Sequence, residues 1–181
     1  MFSQELLNQF NRGGIIAYPT EAMYGLGCDP DNLQALQKLI ELKQRDPAKG
    51  VLVIAASYEQ LLPYIDELAL ADKKALVLSK WPGQHTWVLP KSDRVQPMLS
   101  GEFNTIAARV PGFEYLRQLC HFLGKPIVST SANLAGEQPC INATEVKKVF
   151  GDKVSAVVEG DIQGAKSASP IFDAITGQQY R

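Results

Sequence analysis

Lys125 to Asn133 reads Lys-Pro-Ile-Val-Ser-Thr-Ser-Ala-Asn, so Ser129, Thr130, Ser131 and Asn133 follow two β-branched residues almost without interruption. Three hydroxyls and a carboxamide carry many donors and acceptors that are costly to bury unpaired. They must face water, cap the next element or hold a polar ligand. In isolation the cluster reads first as a polar turn with an Asn cap. Other polar residues change that balance: Thr20 behind the apolar run Ile15 to Tyr18, Thr86 beside Trp87, Arg109 among small apolar residues, and the basic pair Lys43 and Arg45. Basic groups at a helix end suit the helix dipole, which by itself accounts for Lys43 and Arg45. Taken with the hydroxyls, they describe an anion site. Arginine offers a planar fork to a carboxylate, lysine a point charge to a phosphate, and hydroxyls orient what lies between.

Several chemistries are excluded. No G-x-x-x-x-G-K-[ST] segment occurs, so a nucleotide would not sit in a P-loop. Gly25 and Gly27 supply half of a dinucleotide fingerprint, but Pro30 stands where its third glycine belongs. No G-x-S-x-G elbow surrounds Ser129 or Ser131, and neither His85 nor His121 lies in a nucleophile–base context. Cys28, Cys120 and Cys140 lack C-x-x-C spacing, so a zinc centre is disfavoured, no metal ligand is assigned, and the thiols read as free in a reducing compartment. Reactions that need positioning and charge neutralisation, such as attack on a phosphoryl group, stay open.

The elements that must carry these residues follow from periodicity. Leu6, Leu7 and Phe10 mark a short helix stopped by Gly13-Gly14, and Ile15 to Tyr18 a buried strand. Pro19 to Asp29 reads as a loop. Asp29 as N-cap and Pro30 at the first helical position predict a helix with Leu33, Leu36 and Ile40 on one face, closed by Pro47. Strands are expected at Val51 to Ala56, His85 to Leu89, Asn104 to Val110, Ile127 onward and Val154 to Val158; helices at Asp72 to Lys80, Phe113 to Leu123 and after Asn142. Thr105, Ala107 and Arg109 share one strand face. A closing hairpin is expected around Thr176-Gly177. Alternating strands and helices make the class α/β, with a mixed sheet because of the hairpin-like pairs. Ligands of open α/β sheets sit outside the carboxyl ends of strands, where the polar residues are expected to converge.

The 181 residues, 45% hydrophobic and 20% charged, suit one globular domain spanning 1–181. Eighteen basic against nineteen acidic residues give a net charge of −1, so a polyanion must be met by a local patch. The N-terminus lacks a basic region followed by an apolar run, and the expectation is a soluble, cytoplasmic protein with no membrane partner.

Several blocks together resemble one family, the YrdC-type (TsaC) L-threonylcarbamoyl-AMP synthases in their short bacterial form. They are Tyr18 to Asp29, Leu42-Lys43-Gln44-Arg45 with Lys49-Gly50, Trp81-Pro82-Gly83 leading to Thr86, Ala107 to Pro111, and Ser129 to Asn133 with Gly136. The resemblance implies a twisted, open, YrdC-like α/β domain with helices on the faces of its sheet. It implies a nucleotidyltransferase using L-threonine, bicarbonate and ATP with Mg²⁺, in the first step of tRNA threonylcarbamoyladenosine formation. It implies Thr20, Arg109, Ser129 and Ser169 for L-threonine, and Lys43, Arg45, Thr105, Ser131 and Asn133 for ATP. Lys43, Arg45 and Arg109 would carry the catalytic charge, with Lys49 and Tyr24 at the rim. Subunits that pass the intermediate to tRNA are implied as partners. The chain departs from the family pattern at Met23, at Gln84-His85, and at Ser169-Pro170, where the proline follows the serine. The alternative from another class is an RNA-binding or ribosome-maturation module using a concave basic face, with direct tRNA contact left open.

Overall fold

The computed structural model describes residues 2–181. Its strands are β1 Ile16–Pro19, β2 Tyr24–Gly27, β3 Leu52–Ile54, β4 Thr86–Pro90, β5 Thr105–Arg109, β6 Ile127–Ser131, β7 Ala156–Val157 and β8 Ile171–Asp173. The α-helices are α1 Gln4–Asn11, α2 Leu33–Leu42, α3 Tyr58–Leu61, α4 Glu67–Leu70, α5 Lys74–Lys80, α6 Pro97–Ser100, α7 Glu114–Leu123 and α8 Ala143–Phe150. Contacts gather in two compact units. The first holds the residues up to Asp46 with Ile127–Ala168, the second Pro47–Pro126 with Ser169–Arg181.

The first unit orders its strands β7-β1-β2-β6. β1 runs antiparallel to β2 and parallel to β7, and β2 runs antiparallel to β6. Ser3 caps α1 through Leu6 N, and the helix buries Leu6 and Phe10. The segment read as a loop contains β2, whose four residues are all buried. Its glycines hid it, because glycine is depleted in strands unless another group approaches closely. That is the case here: a Cβ on Gly27 would stand 2.0 Å from the Val128 carbonyl oxygen, and one on Gly25 would stand 2.9 Å from the Tyr18 ring.

The start of α2 also differs from expectation. Asn32, not Asp29, is the N-cap, its side chain accepting from Ala35 N, while Asp29 Oδ1 accepts from Asp31 N in the turn ahead of it. Consequently Leu33 is exposed, and the buried face is Ala35, Leu36, Leu39 and Ile40. α8 begins as expected, with Asn142 accepting from Glu145 N and Glu145 Oε2 reaching back to Ile141 N.

The second unit orders its strands β3-β5-β4-β8. β5 pairs parallel with β3 and antiparallel with β4, and β4 pairs parallel with β8. Parallel and antiparallel pairs therefore mix in both units, as the hairpin-like sequence pairs suggested. α7 buries Leu116, Leu119, Cys120 and Leu123 and ends at Gly124. The expected closing hairpin forms: Asp173 N donates to Gln178 O and Tyr180 N to Ile171 O. Its inner strand is β8, which also extends the sheet from β4.

Candidate active site

In the first unit the C-terminus of α2 meets the end of β6. Lys43 is the C-cap of α2, and its ammonium donates to Ser131 O at 2.8 Å, Asn133 O at 2.5 Å and Asn133 Oδ1 at 2.8 Å. Ser131 Oγ donates to the same Asn133 Oδ1 at 2.6 Å. The Asn133 amide in turn donates to Leu134 O and Glu137 O, tying down the loop after β6. Burial, with Arg45 close by, draws the Lys43 pKa down to about 8. Between the two basic residues, Gln44 takes a positive φ of 47°, a conformation usually left to glycine after a helix. It turns the chain so that Arg45 follows Lys43 from the helix end, and desolvation lowers the Arg45 pKa as well. Strain of this kind persists where the surroundings over-determine it.

Thr20 opens the β1–β2 turn. Its hydroxyl donates to Met23 O at 2.6 Å, which leaves its oxygen free to accept. Gln163 N reaches Thr20 O and Ala165 N reaches Glu21 O, so the segment after β7 lies along this turn. Tyr24, read as a rim residue, is fully buried, and its hydroxyl donates to Gly160 O at 2.7 Å as a pin for that same segment. Ser129 is half-buried on β6.

In the second unit Arg109 ends β5 and is 6% exposed. The Arg181 guanidinium is near enough for the Arg109 charge to lower its pKa, after desolvation. Arg181 Nε and Nη2 donate to Ser169 O at 3.1 and 2.9 Å. Ser169 is buried, and its Oγ lies 2.8 Å from Thr86 Oγ1. Thr105 is half-buried at the start of β5, two residues along the strand face from Ala107 and four from Arg109. Lys49 is exposed at the end of a short 3₁₀ turn, Pro47–Lys49.

The structure thus joins Lys43, Ser131 and Asn133 directly, and it joins Ser169 to Thr86 and Arg181. Sequence reading missed Arg181 altogether, since a polar residue in a terminal hairpin carries no local sign of its partner. It named Thr86 without a role. Among the described residues no group of three or more His, Cys, Asp or Glu gathers as a metal-ligand set, and no helix is long and apolar enough to cross a membrane.

The fold is a mixed α/β one in which a lysine is clamped on a Ser-x-Asn strand end, and in the second unit Arg181 holds the carbonyl of a serine whose hydroxyl meets Thr86. The chain matches the Sua5/YciO/YrdC family profile, described as telomere recombination, over residues 8–181, and it belongs to that family. It is 49% identical to the threonylcarbamoyl-AMP synthase of Vibrio parahaemolyticus, with 98% of this chain and 97% of that protein covered. It is 47% identical to the threonylcarbamoyl-AMP synthase of Photobacterium profundum over the same shares. Among solved structures, Pyrococcus abyssi Sua5 complexed with L-threonine matches with a TM-score of 0.84 and 29% identity, over 96% of this chain and 52% of that one. The chain thus spans about half of the archaeal protein. Escherichia coli YciO matches with a TM-score of 0.77 and 25% identity, over 93% of this chain and 82% of that one.

Proposed function

We propose that this protein is an ATP-dependent threonylcarbamoyl-AMP synthase. It condenses L-threonine, bicarbonate and ATP into L-threonylcarbamoyl-AMP and pyrophosphate, the first step of threonylcarbamoyladenosine formation on tRNA. The near full-length identity to synthases of that name supports the reading. The single structural observation that carries it is the clamp of Lys43 on Ser131 and Asn133, which holds a cation and a polar strand end in one place without any P-loop.

The chemistry makes modest demands on the protein. The threonine amine and bicarbonate give a carbamate with loss of water. A carbamate oxygen then bonds to the α-phosphorus of ATP, and the bond to the bridging oxygen breaks with pyrophosphate leaving. No enzyme nucleophile is required, so the work is positioning and charge stabilisation. Lys43 and Arg45 offset charge on the triphosphate, while Ser131, Asn133 and Thr105 orient the nucleotide. Arg109 takes the threonine carboxylate as a planar fork, with Thr20, Ser129 and Ser169 around the amino acid. Among the described residues no cluster of carboxylates offers Mg²⁺ a protein cage; the ion fits this chain as part of the nucleotide substrate, held on the phosphates. The protein acts in the cytoplasm as one family domain over 1–181, and it hands its product to subunits that transfer the threonylcarbamoyl group to tRNA.

Substitution tests the roles. Lys43→Ala and Arg109→Ala are each expected to reduce threonine-dependent pyrophosphate release to background while leaving the circular-dichroism spectrum unchanged. Release at the native rate in either variant contradicts the assignment.

A further inference from the structure

Ser169 is held from two sides. Arg181 donates twice to its carbonyl, and Thr86 meets its hydroxyl at 2.8 Å. Thr86 is itself fixed, because its amide donates to Pro170 O at 3.0 Å and it pairs with Ile171 where β4 runs parallel to β8. Thr86 is 0% exposed and Ser169 5%. A fully buried threonine hydroxyl on a strand face is costly unless hydrogen-bonded, and a valine of nearly the same shape would avoid that cost.

Proton counting gives the hydroxyl a purpose. Each hydroxyl has one proton and two lone pairs. Two that bond each other use one proton and keep one. If Ser169 donates to Thr86, the pair shows Ser169 to a ligand only as an acceptor. If Thr86 donates to Ser169, the serine proton is released for a ligand oxygen, and the donated bond polarises that O–H further. Arg181 lies against the Ser169 carbonyl in the same unit as the buried Arg109, and positive charge beside this serine suits an anionic ligand oxygen and therefore the second arrangement.

We propose that Thr86 is a positioning residue for L-threonine binding: its hydroxyl donates to Ser169 Oγ and so directs the Ser169 proton to an acceptor oxygen of the amino acid. Thr86 does not touch the substrate. The inference rests on the reading of Ser169 as a threonine-binding residue.

The test is a double-mutant cycle on the full chain, with Thr86→Val, Thr86→Ser, Ser169→Ala and the Thr86→Val/Ser169→Ala pair, scored by pyrophosphate release. Thr86→Val is expected to raise the KM for L-threonine about three- to tenfold, the worth of one hydrogen bond, while the KM for ATP stays constant. Thr86→Ser is expected to restore it. In the Ser169→Ala background Thr86→Val should add nothing, because its only route to the ligand is gone. A Thr86→Val effect of full size in that background, or equal effects on both KM values, means that Thr86 is a packing residue and overturns the proposal. So does an unchanged KM for threonine in Thr86→Val when Ser169→Ala raises it. If Ser169→Ala itself leaves that KM unchanged, the assignment of Ser169 to threonine fails first and the proposal falls with it. Should Thr86→Val fail to fold, Thr86→Cys keeps the volume with only a weak donor and enters the same cycle.

Discussion

At the scale of single residues the informative group is Lys43. Its ammonium serves three oxygens of Ser131 and Asn133, yet burial and the neighbouring Arg45 bring its pKa from 10.5 to about 8. In the unfolded chain the amine keeps its proton to the higher value, so the free protein loses a charging penalty, and gains stability, as pH rises from about 8 toward 10.5. A bound triphosphate works in the opposite direction by favouring the ammonium. ATP affinity is therefore expected to fall as pH rises through about 8, with proton uptake on binding near that pH. Calorimetry in buffers of different ionisation enthalpy measures that uptake directly. Asn133→Ala is expected to weaken ATP binding about tenfold, because Oδ1 is where Lys43 and Ser131 meet and the amide holds the following loop; titration with ATP checks it. Sequence inspection singled out all three residues. It could not show their bonds, because Lys43 and Asn133 are 90 positions apart and nothing local announces such a partnership.

At the scale of elements, alternation and apolar runs placed most strands and helices, and the failures have local causes. β2 was hidden because Gly25 and Gly27 are poor strand formers used here to admit the Tyr18 ring and the Val128 carbonyl. α2 starts three residues later than expected because two capping residues compete within four positions, and Asn32 wins with a bond to Ala35 N. Gly27→Ala is expected to cost at least about 1–3 kcal/mol, since backbone must move to accept the Cβ; urea unfolding measures it. β4 supplies a pH test. His85 stacks on Phe172 with centroids 4.5 Å apart, and it packs against Trp87 at 4.3 Å. Its Nε2 is buried without a hydrogen-bond partner among the described residues. Desolvation, with Lys80 adding to it, lowers its pKa below 6.5. The folded state thus binds this proton less well than the unfolded chain, so stability is full above about 6.5 and declines as pH falls below it. His85→Phe is expected to flatten the loss of Tm between pH 7.5 and 5.5, and equal losses in variant and parent contradict this account.

For the whole molecule, the near-neutral charge of −1 argues against a general polyanion binder, while the charges that matter are local: Lys43 with Arg45, and Arg109 with Arg181. Class and family were legible because ordered motif blocks span almost the entire chain. The contribution of Arg181 to Ser169 was not, because it depends on how the terminal hairpin folds back. The most direct measurement of the central claim is pyrophosphate release by the purified protein supplied with ATP and Mg²⁺, with and without bicarbonate and with each amino acid in turn. Release is expected to require both L-threonine and bicarbonate. Release independent of threonine, or none at all beside tight, salt-sensitive RNA binding, would contradict it and favour the RNA-binding alternative.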